Sequence, residues 1–393
     1  MAELRQNTWL LNAWYEQDYA GNVEYTTSSN TLHSWGGNPV GGMGFPPANQ
    51  YSSPQTIPGT TWSRARAGYR SGMATKSDGT LWGWGYNDDG ALGHNNVKNY
   101  SSPMQVGSDT DWKQVSHGYQ VSAAVKTDGT LWTWGANDTG QLGINVSWGN
   151  RSSPIQVPGA WEMVCVNNRH IYAVKADNTL FSLGGNNDYG ELGQNTQGNP
   201  SRRSSPIQIP GTTWSNDIDD WGEIPQASET FVLTIKTDGT LWAWGNNQIG
   251  RCGQNEPTNS HKSSPVQIGG DNNWRNCGAS GPGTGVATKT DGTLWAWGEG
   301  YQGQTGQNDN GHSARYSSPV QVGTGTNWKI AGGGGMCMGG VKTDGTLWTW
   351  GMGNDGGLGH NDKTQRSSPT QVPGTGWSSK FSEATNALML KEL

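Results

Sequence analysis

Apolar positions come in short runs bounded by glycine, proline, asparagine and aspartate, and no window sustains them at helical spacing. Residues 112–156 show the pattern. Trp112 to Val115 predicts a first strand and Val121 to Lys126 (VSAAVK) a second. Thr127-Asp128-Gly129-Thr130 predicts a turn. Its Asp-Gly pair points to a two-residue type I′ hairpin, in which both central positions need φ > 0. Leu131 to Gly135 (LWTWG) predicts a third strand. Trp132 and Trp134 are two apart and therefore share one face of it, which predicts packing between neighbouring units. Ser153 to Val157 predicts a fourth strand, with Pro154 at its start, where a missing N–H is tolerated.

The whole unit repeats. LWxWG or a degraded form begins at Leu32, Leu81, Leu131, Leu180, Leu241, Leu294 and Leu347, in steps of 49, 50, 49, 61, 53 and 53 residues. SSPxQ recurs with its proline at Pro54, Pro103, Pro154, Pro206, Pro265, Pro319 and Pro369. A lone tryptophan follows each: Trp62, Trp112, Trp161, Trp214, Trp274, Trp328 and Trp377. The three markers stay in phase and take up 18 of the 22 tryptophans, which is too regular for chance. Seven four-stranded units predict an all-β fold, a seven-bladed β-propeller with four antiparallel strands per blade.

The ends predict closure. Trp112 to Lys126 spans 14 residues, and the last unit repeats this as Trp377 to Lys391. Its third strand is then expected from Asn30–Gly36 at the other end of the chain. One blade built from both termini removes the open sheet edge. Residues 25–393 are therefore expected to form a single propeller, and residues 1–24 an N-terminal aromatic arm.

Composition narrows the function. Charged residues make up 14% of the chain, against a usual ~25%. At 10% aromatic the chain has too much apolar surface to stay disordered. No run of ~18 apolar residues predicts a membrane span. The N-terminus shows no basic stretch followed by an apolar one, so no secretory leader is expected. A net charge of −6 with 25 Lys+Arg argues against a broad nucleic-acid surface. Cys165, Cys252, Cys277 and Cys337 are far apart and read as reduced, small apolar residues.

No catalytic motif emerges: there is no HExxH, GxSxG or P-loop, and the seven histidines show no metal-ligand spacing. Gly332–Gly335 lacks a following Gly-Lys-Ser/Thr, which predicts tight backbone packing near the axis rather than a phosphate cradle. Asn87-Asp88-Asp89-Gly90 lacks the terminal carboxylate of a calcium loop and reads as turn chemistry. No catalytic residue, cofactor or metal is expected.

The run Lys126–Gly159 (KTDGTLWTWGANDTGQLGINVSWGNRSSPIQVPG) resembles a repeat of the regulator-of-chromosome-condensation family, over roughly residues 25–391. The Trp-Gly-x-Asn-x-x-Gly-x-Leu-Gly signature stands in full at Trp84–Gly93 and Trp134–Gly143. The resemblance implies a seven-bladed propeller. The founding family exchanges nucleotide on a small GTPase and binds chromatin, through a β-wedge insertion and a basic tail; neither is recognisable here. The largest insertion, Ser215–Thr230, is acidic and is expected to lengthen a first-to-second loop. TDGTLW also resembles the Asp-box of sialidase-like propellers, but the arginines are few and lie in loops. More loosely, the chain is similar to propellers carried by bacteriophage virion proteins.

Two regions are candidate partner surfaces. One is the arm, with Trp9, Leu10, Leu11, Trp14 and Tyr15, read either as a strap on its own propeller or as a docking segment. The other is a ring just before each SSP: Tyr51, Tyr100, Arg151, Arg203, Lys262, Tyr316 and Arg366. These either stack on neighbouring loops or form a contact ring for an anionic or glycan surface. The leading expectation is a non-enzymatic structural or binding protein, a virion component docked through the arm to other virion proteins. The alternatives are a cytoplasmic interaction scaffold related to guanine-nucleotide exchange factors and a glycan-binding propeller. No nucleic-acid or membrane partner is expected.

Overall fold

The computed structural model describes residues 30–46, 50–167, 170–198, 203–216, 226–228, 230–256, 260–281, 283–311, 314–383 and 386–392. They form seven four-stranded antiparallel sheets, each a blade, with one short 3-10 turn at Gln248–Gly250. In blade 3 the strands are Trp112–His117, Val121–Lys126, Leu131–Gly135 and Arg151–Val157, in that order across the sheet. The tryptophan-led strands of successive blades pack on one another around the axis, and the SSP strands form the outer edges.

Blade 1 closes the ring as expected. Trp377–Glu383 and Asn386–Glu392 from one end join Asn30–Gly36 and Tyr51–Ile57 from the other. Leu32 lies opposite Leu390 and His33 opposite Met389.

The hairpin differs from expectation. Gly79 N–H donates to the Lys76 carbonyl at 3.0 Å, and Lys76 N–H to the Thr80 carbonyl at 3.0 Å. Only the glycine takes the left-handed conformation, at φ 77°. This is a type I turn followed by a glycine bulge, a three-residue loop rather than a type I′ pair. The aspartate explains the choice: Asp78 Oδ1 accepts the Thr80 N–H at 3.0 Å and the Thr80 hydroxyl at 2.6 Å. That side-chain bond fixes the ordinary turn, so φ > 0 is needed once. In blade 4, Asn178 fills the glycine's place at φ 61°.

The insertion in blade 5 also differs. Trp214 bridges Lys236, and pairing resumes only at Gln226 with Leu233 and Ala227 with Val232. Ser228 N–H donates to the Phe231 carbonyl at 2.9 Å, the same tight turn that Gly118 makes to Val121 in blade 3. The first-to-second loop thus has ordinary length. The innermost strand is instead interrupted between Trp214 and Gln226, and residues 217–225 lie outside the described residues.

The core is a set of blade seams. Between blades 2 and 3, Met73, Leu81 and Val106 meet Trp112, Val115, Ala124 and Trp134. The second tryptophan of each LWxWG is fully buried, as at Trp35, Trp84, Trp134, Trp244, Trp297 and Trp350. Gly332 lies in an innermost strand beside Gly278, where a β-carbon would stand 2.5 Å from the Gly332 Cα. This is the tight backbone packing expected there.

Candidate functional site

The two faces of the ring are built differently. One carries the Asp-Gly turns and the connectors between blades, and it is uniform. In blade 2 the Trp82 indole donates to the Thr80 hydroxyl at 2.8 Å, which in turn donates to Asp78. The same relay runs through Asp128-Thr130-Trp132, Asp238-Thr240-Trp242, Asp291-Thr293-Trp295 and Asp344-Thr346-Trp348. The Thr80 hydrogen bonds hold the Asp78 carboxyl below its ordinary range. The lysine before each turn lies over the rings of its own blade. Lys342 Nζ is 4.9 Å from the Trp328 ring and 4.0 Å from Trp348. Lys76, Lys126, Lys175, Lys236 and Lys289 repeat the arrangement. In blade 1 Lys391 covers Trp377, and His33 takes the second ring's position, 5.5 Å from Trp377. Burial, with Lys391 adding to it, lowers the His33 pKa to about 4. Such cation–π contacts are worth roughly 0.5–2 kcal/mol each. The fixed spacing from lysine to tryptophan in KTDGTLW was their sequence signal.

The turn face is also sewn shut. The N–H of six of the incoming tryptophans donates to the preceding blade's turn, as Trp112 does to the Gly79 carbonyl at 3.0 Å. An open cleft of about 340 Å³ lies here between blades 5 and 6, lined by Lys236, Asp238, Trp274 and Arg275. Its one carboxylate, Asp238, is taken by Thr240. Nothing in it pairs a nucleophile with a base.

The opposite face carries the first-to-second turns and the long third-to-fourth loops. A buried asparagine anchors these loops in five blades. Asn87 accepts the Leu92 N–H at 2.9 Å and donates to the Asn96 and Lys98 carbonyls, so it serves as turn chemistry. Asn38, Asn137, Asn187 and Asn247 do the same work. The loop glycine and the SSP serine form the seam. A β-carbon on Gly90 would stand 2.6 Å from the Ser152 Cα of the next blade. Asn95 N–H then donates to the Ser152 carbonyl at 2.6 Å. The buried indoles cross the same seam: Trp134 Nε1 donates to the Ala91 carbonyl at 2.8 Å and Trp350 Nε1 to Gln304 at 2.7 Å. Trp35, Trp84, Trp244 and Trp297 do likewise, whereas blade 4 has Leu183 there.

The ring expected before SSP is real as a geometric set. Tyr51, Tyr100, Arg151, Lys262, Tyr316 and Arg366 each lie opposite the last glycine of the third strand. Arg203 precedes the short strand Pro206–Gln208. All seven are half-buried. Arg366 makes a two-pronged contact with Asp362 at 2.9 and 3.0 Å, which holds that carboxyl well below the usual range. Lys262 pairs with Glu256 at 2.8 Å. Tyr100 meets His94 edge-on at 4.8 Å, and Tyr51 meets Phe45 at 5.9 Å. Arg151 donates to the Gly149 carbonyl at 2.9 Å, and Tyr316 packs against the core between blades 5 and 6. These contacts brace the long loops. The arm residues Trp9, Leu10, Leu11, Trp14 and Tyr15 lie outside the described residues.

Sequence reasoning passed over Trp148, which no repeat marker claims. It is 74% exposed on the blade 3 loop. Buried titratable groups serve the seams instead. His117 sits between the hydroxyls of Ser71 at 2.6 Å and Ser122 at 2.7 Å, and burial lowers its pKa to about 4. Glu191 is raised to about 7 by burial. Cys165, Cys252 and Cys277 are buried free thiols, while Cys337 is half-buried. Among the described residues no group of three or more His, Cys, Asp or Glu is placed to hold a metal. Nor is any helix long and apolar enough to cross a membrane.

A closed ring of phased four-stranded blades, stitched through both faces and elaborated on one, defines a repeat-type β-propeller. The chain belongs to the RCC1-like domain family, whose model matches residues 31–388. It is 26% identical over 187 residues to the ultraviolet-B receptor UVR8 of Arabidopsis thaliana, covering 48% of this chain and 41% of that protein. It is also 26% identical over 224 residues to the E3 ubiquitin-protein ligase HERC2 of Homo sapiens, covering 56% of this chain and 4% of that one. The chain thus matches less than half the length of either relative. Among solved structures it is similar to Prp20p of Saccharomyces cerevisiae, with TM-score 0.81 and 17% identity over 99% of this chain and 97% of that one. Human WBSCR16 gives TM-score 0.79 and 18% identity over 92% and 99%. At these identities the structural likeness speaks for the fold.

Proposed function

We propose that this propeller is a non-catalytic protein-interaction scaffold that engages its partner through the long-loop face. The asymmetry of the two faces carries the reading. Both faces are hydrogen-bonded to the next blade, but the turn face is short and uniform. The loop face varies from blade to blade and exposes aromatic side chains, and binding residues gather where loops vary on a rigid frame. The ring from Tyr51 to Arg366 forms the outer circle of this face.

The relatives favour a scaffold over a virion appendage. Prp20p binds Gsp1p and histones, and the yeast protein also occurs in complex with Kap60. The scaffold reading takes from them protein binding alone, not nucleotide exchange. The arm, Trp9 to Tyr15, is proposed as a second docking element, and a particle location is tested through it. Deleting residues 1–24 should leave a folded propeller that has lost co-sedimentation with any particle the full chain joins.

The deciding experiment is hydroxyl-radical footprinting of the full chain with and without a partner recovered by affinity capture. Protection is expected on the long loops, Trp148 and Tyr301 among them, with the Asp-Gly turns unchanged. Protection confined to the turn face would overturn the reading. A fluorescent-GDP release assay on a small GTPase should show no acceleration.

A further inference from the structure

The seam between blades 4 and 5 turns on one buried carboxyl. The residue after the loop glycine offers its backbone carbonyl to the next blade's buried indole, at Gly42, Ala91, Arg251, Gln304 and Gly357 as well as at Glu191. The Glu191 carbonyl accepts the Trp244 indole at 2.7 Å and the Tyr172 hydroxyl at 2.8 Å. Beside it, a β-carbon on Gly190 would stand 2.4 Å from the Ser263 Cα, and the Asn195 N–H donates to the Ser263 carbonyl at 2.6 Å. The hold of blade 4 on blade 5 therefore depends on how Glu191 is placed.

Glu191 is 2% exposed, and among the described residues it makes no ion pair. Its Oε2 accepts the Tyr189 N–H at 2.9 Å. Blades 3 and 6 carry neutral amides at this position. Gln141 Oε1 accepts the Thr139 N–H at 2.8 Å, and Gln304 Oε1 that of Gln302 at 2.7 Å. Gln141 also donates from its amide to Asp138 at 2.6 Å. Asp188 stands at the Asp138 position of blade 4, two residues before the loop glycine. A carboxyl can imitate that amide only in its neutral form. Ionised, it is a buried charge close to a second carboxylate.

The neighbouring ionisable groups are engaged elsewhere. Lys262 pairs with Glu256 at 2.8 Å, His261 meets the Tyr189 ring edge-on at 4.8 Å, and Arg251 donates to the Thr230 hydroxyl at 3.1 Å. His170 stacks on Tyr172 at 6.3 Å and bonds to Asn167 and Asn186. Tyr172 is buried with its pKa well above the ordinary range, and the Cys165 thiol lies opposite it in the sheet. Burial raises Glu191 to about 7 and Asp188 adds to the rise, against the lowering pull of the Tyr189 and Gly190 backbone. Blade 4 is also the least braced unit. Its outer strand Pro206–Gln208 has three residues where the other blades have six or seven, and Leu183 replaces the second tryptophan. Local opening begins where few bonds hold.

We propose that Glu191 is a proton latch: neutral, it holds the blade 4 long loop on blade 5, and loss of its proton frees that loop. The latch goes beyond the scaffold reading and does not depend on it. In the closed loop the carboxyl titrates near 7, and once the loop swings into water it titrates at its ordinary 4.5. Opening is therefore constant below pH 4.5, grows by up to about tenfold per pH unit from there to 7, and levels off above 7.

Hydrogen–deuterium exchange of the full chain from about pH 5 to about pH 8 tests this, with each rate divided by that of an unstructured amide at the same pH. Leu192, Gly193 and Asn195 report on the blade 4 loop through their bonds to Asn187, Gly190 and Ser263. Leu142, Gly143 and Asn145 make the matching bonds in blade 3 and serve as the control. Protection of the blade 4 amides should fall at least about tenfold between about pH 5 and 7 and then level, while the blade 3 amides stay flat. Glu191→Gln should abolish the fall and keep the parent's protection at the acid end. Asp188→Asn should shrink the fall, because a charge that raises the carboxyl is gone. The latch is overturned if blade 4 protection is flat in the parent, if Glu191→Gln shows the same fall, or if Asp188→Asn enlarges it. It also falls if every blade loses protection in step, since Glu191 would then act on global stability alone. Should Glu191→Gln fail to fold, the parent's own profile, blade 4 against blade 3, decides.

Discussion

Replacing Trp134 with alanine tests what holds the blades together. Its ring is fully buried in the seam between blades 2 and 3, 6.3 Å from Trp112 in an edge-on contact. Truncating a buried aromatic residue to alanine costs about 3–5 kcal/mol. The lost indole bond to the Ala91 carbonyl adds little, because the Ser122 hydroxyl still donates to that oxygen at 2.6 Å. The hydrogen-bond share is thus near the low end, about 1 kcal/mol. Trp134→Phe keeps most of the ring and should cost roughly 1–2 kcal/mol. Against a typical total of about 5–15 kcal/mol, the alanine variant loses a large fraction of its stability. The assay is equilibrium urea denaturation followed by far-UV circular dichroism, with Trp148→Ala as the exposed control, expected within about 0.5 kcal/mol of the parent. A loss below about 1 kcal/mol for Trp134→Ala, or an equal loss for Trp148→Ala, would refute seam packing as the source of stability.

Three further outcomes follow from the structure. Gly90→Ala should destabilise by roughly 1–3 kcal/mol more than Gly107→Ala, because both glycines have φ > 0 but only Gly90 would drive a β-carbon into the Ser152 backbone; equal melting shifts would show that the seam tolerates it. Removing residues 376–393 takes two strands from blade 1 and exposes a sheet edge, so the truncated chain should aggregate or lose its cooperative melt, and an unchanged melt would disprove closure by both ends. Glu191 has a folded pKa of about 7, raised by burial above its ordinary 4.5, so the fold favours its neutral form. Its stability contribution is intact below pH 4.5 and is lost as pH rises through 7. Glu191→Gln should therefore stabilise by up to roughly 3 kcal/mol at pH 8 relative to pH 4, and a pH-independent difference in urea midpoints would count against it.

The repeat, the blade count and the closing blade were legible because they rest on backbone demands that recur from blade to blade. The turn aspartate, the seam glycine and the outer-strand proline admit few substitutes. Finer features escaped for physical reasons. Asp78-Gly79 fits two hairpins that differ by one residue's φ, and only the Asp78-to-Thr80 bond separates them. Trp214 and Lys236 fix the distance between two markers but not which residues between them pair, so an interrupted strand looked like a long loop. Trp148 carried a signal in being outside every marker, but a lone tryptophan does not reveal its exposure.

The shared blade has a consequence for biosynthesis. Thr31 bonds to the Lys391 carbonyl, a separation of 360 residues. On the ribosome the strands Asn30–Gly36 and Tyr51–Ile57 are made first and their partners last. Six blades can pair locally as they emerge, each hairpin within reach of its own turn. The first two strands must wait for almost the whole chain, with their edge open to wrong partners. Joining such distant segments is the slow, entropically costly step in folding. The rate at which active protein accumulates should then be set by this one late pairing rather than by the six blades already in place.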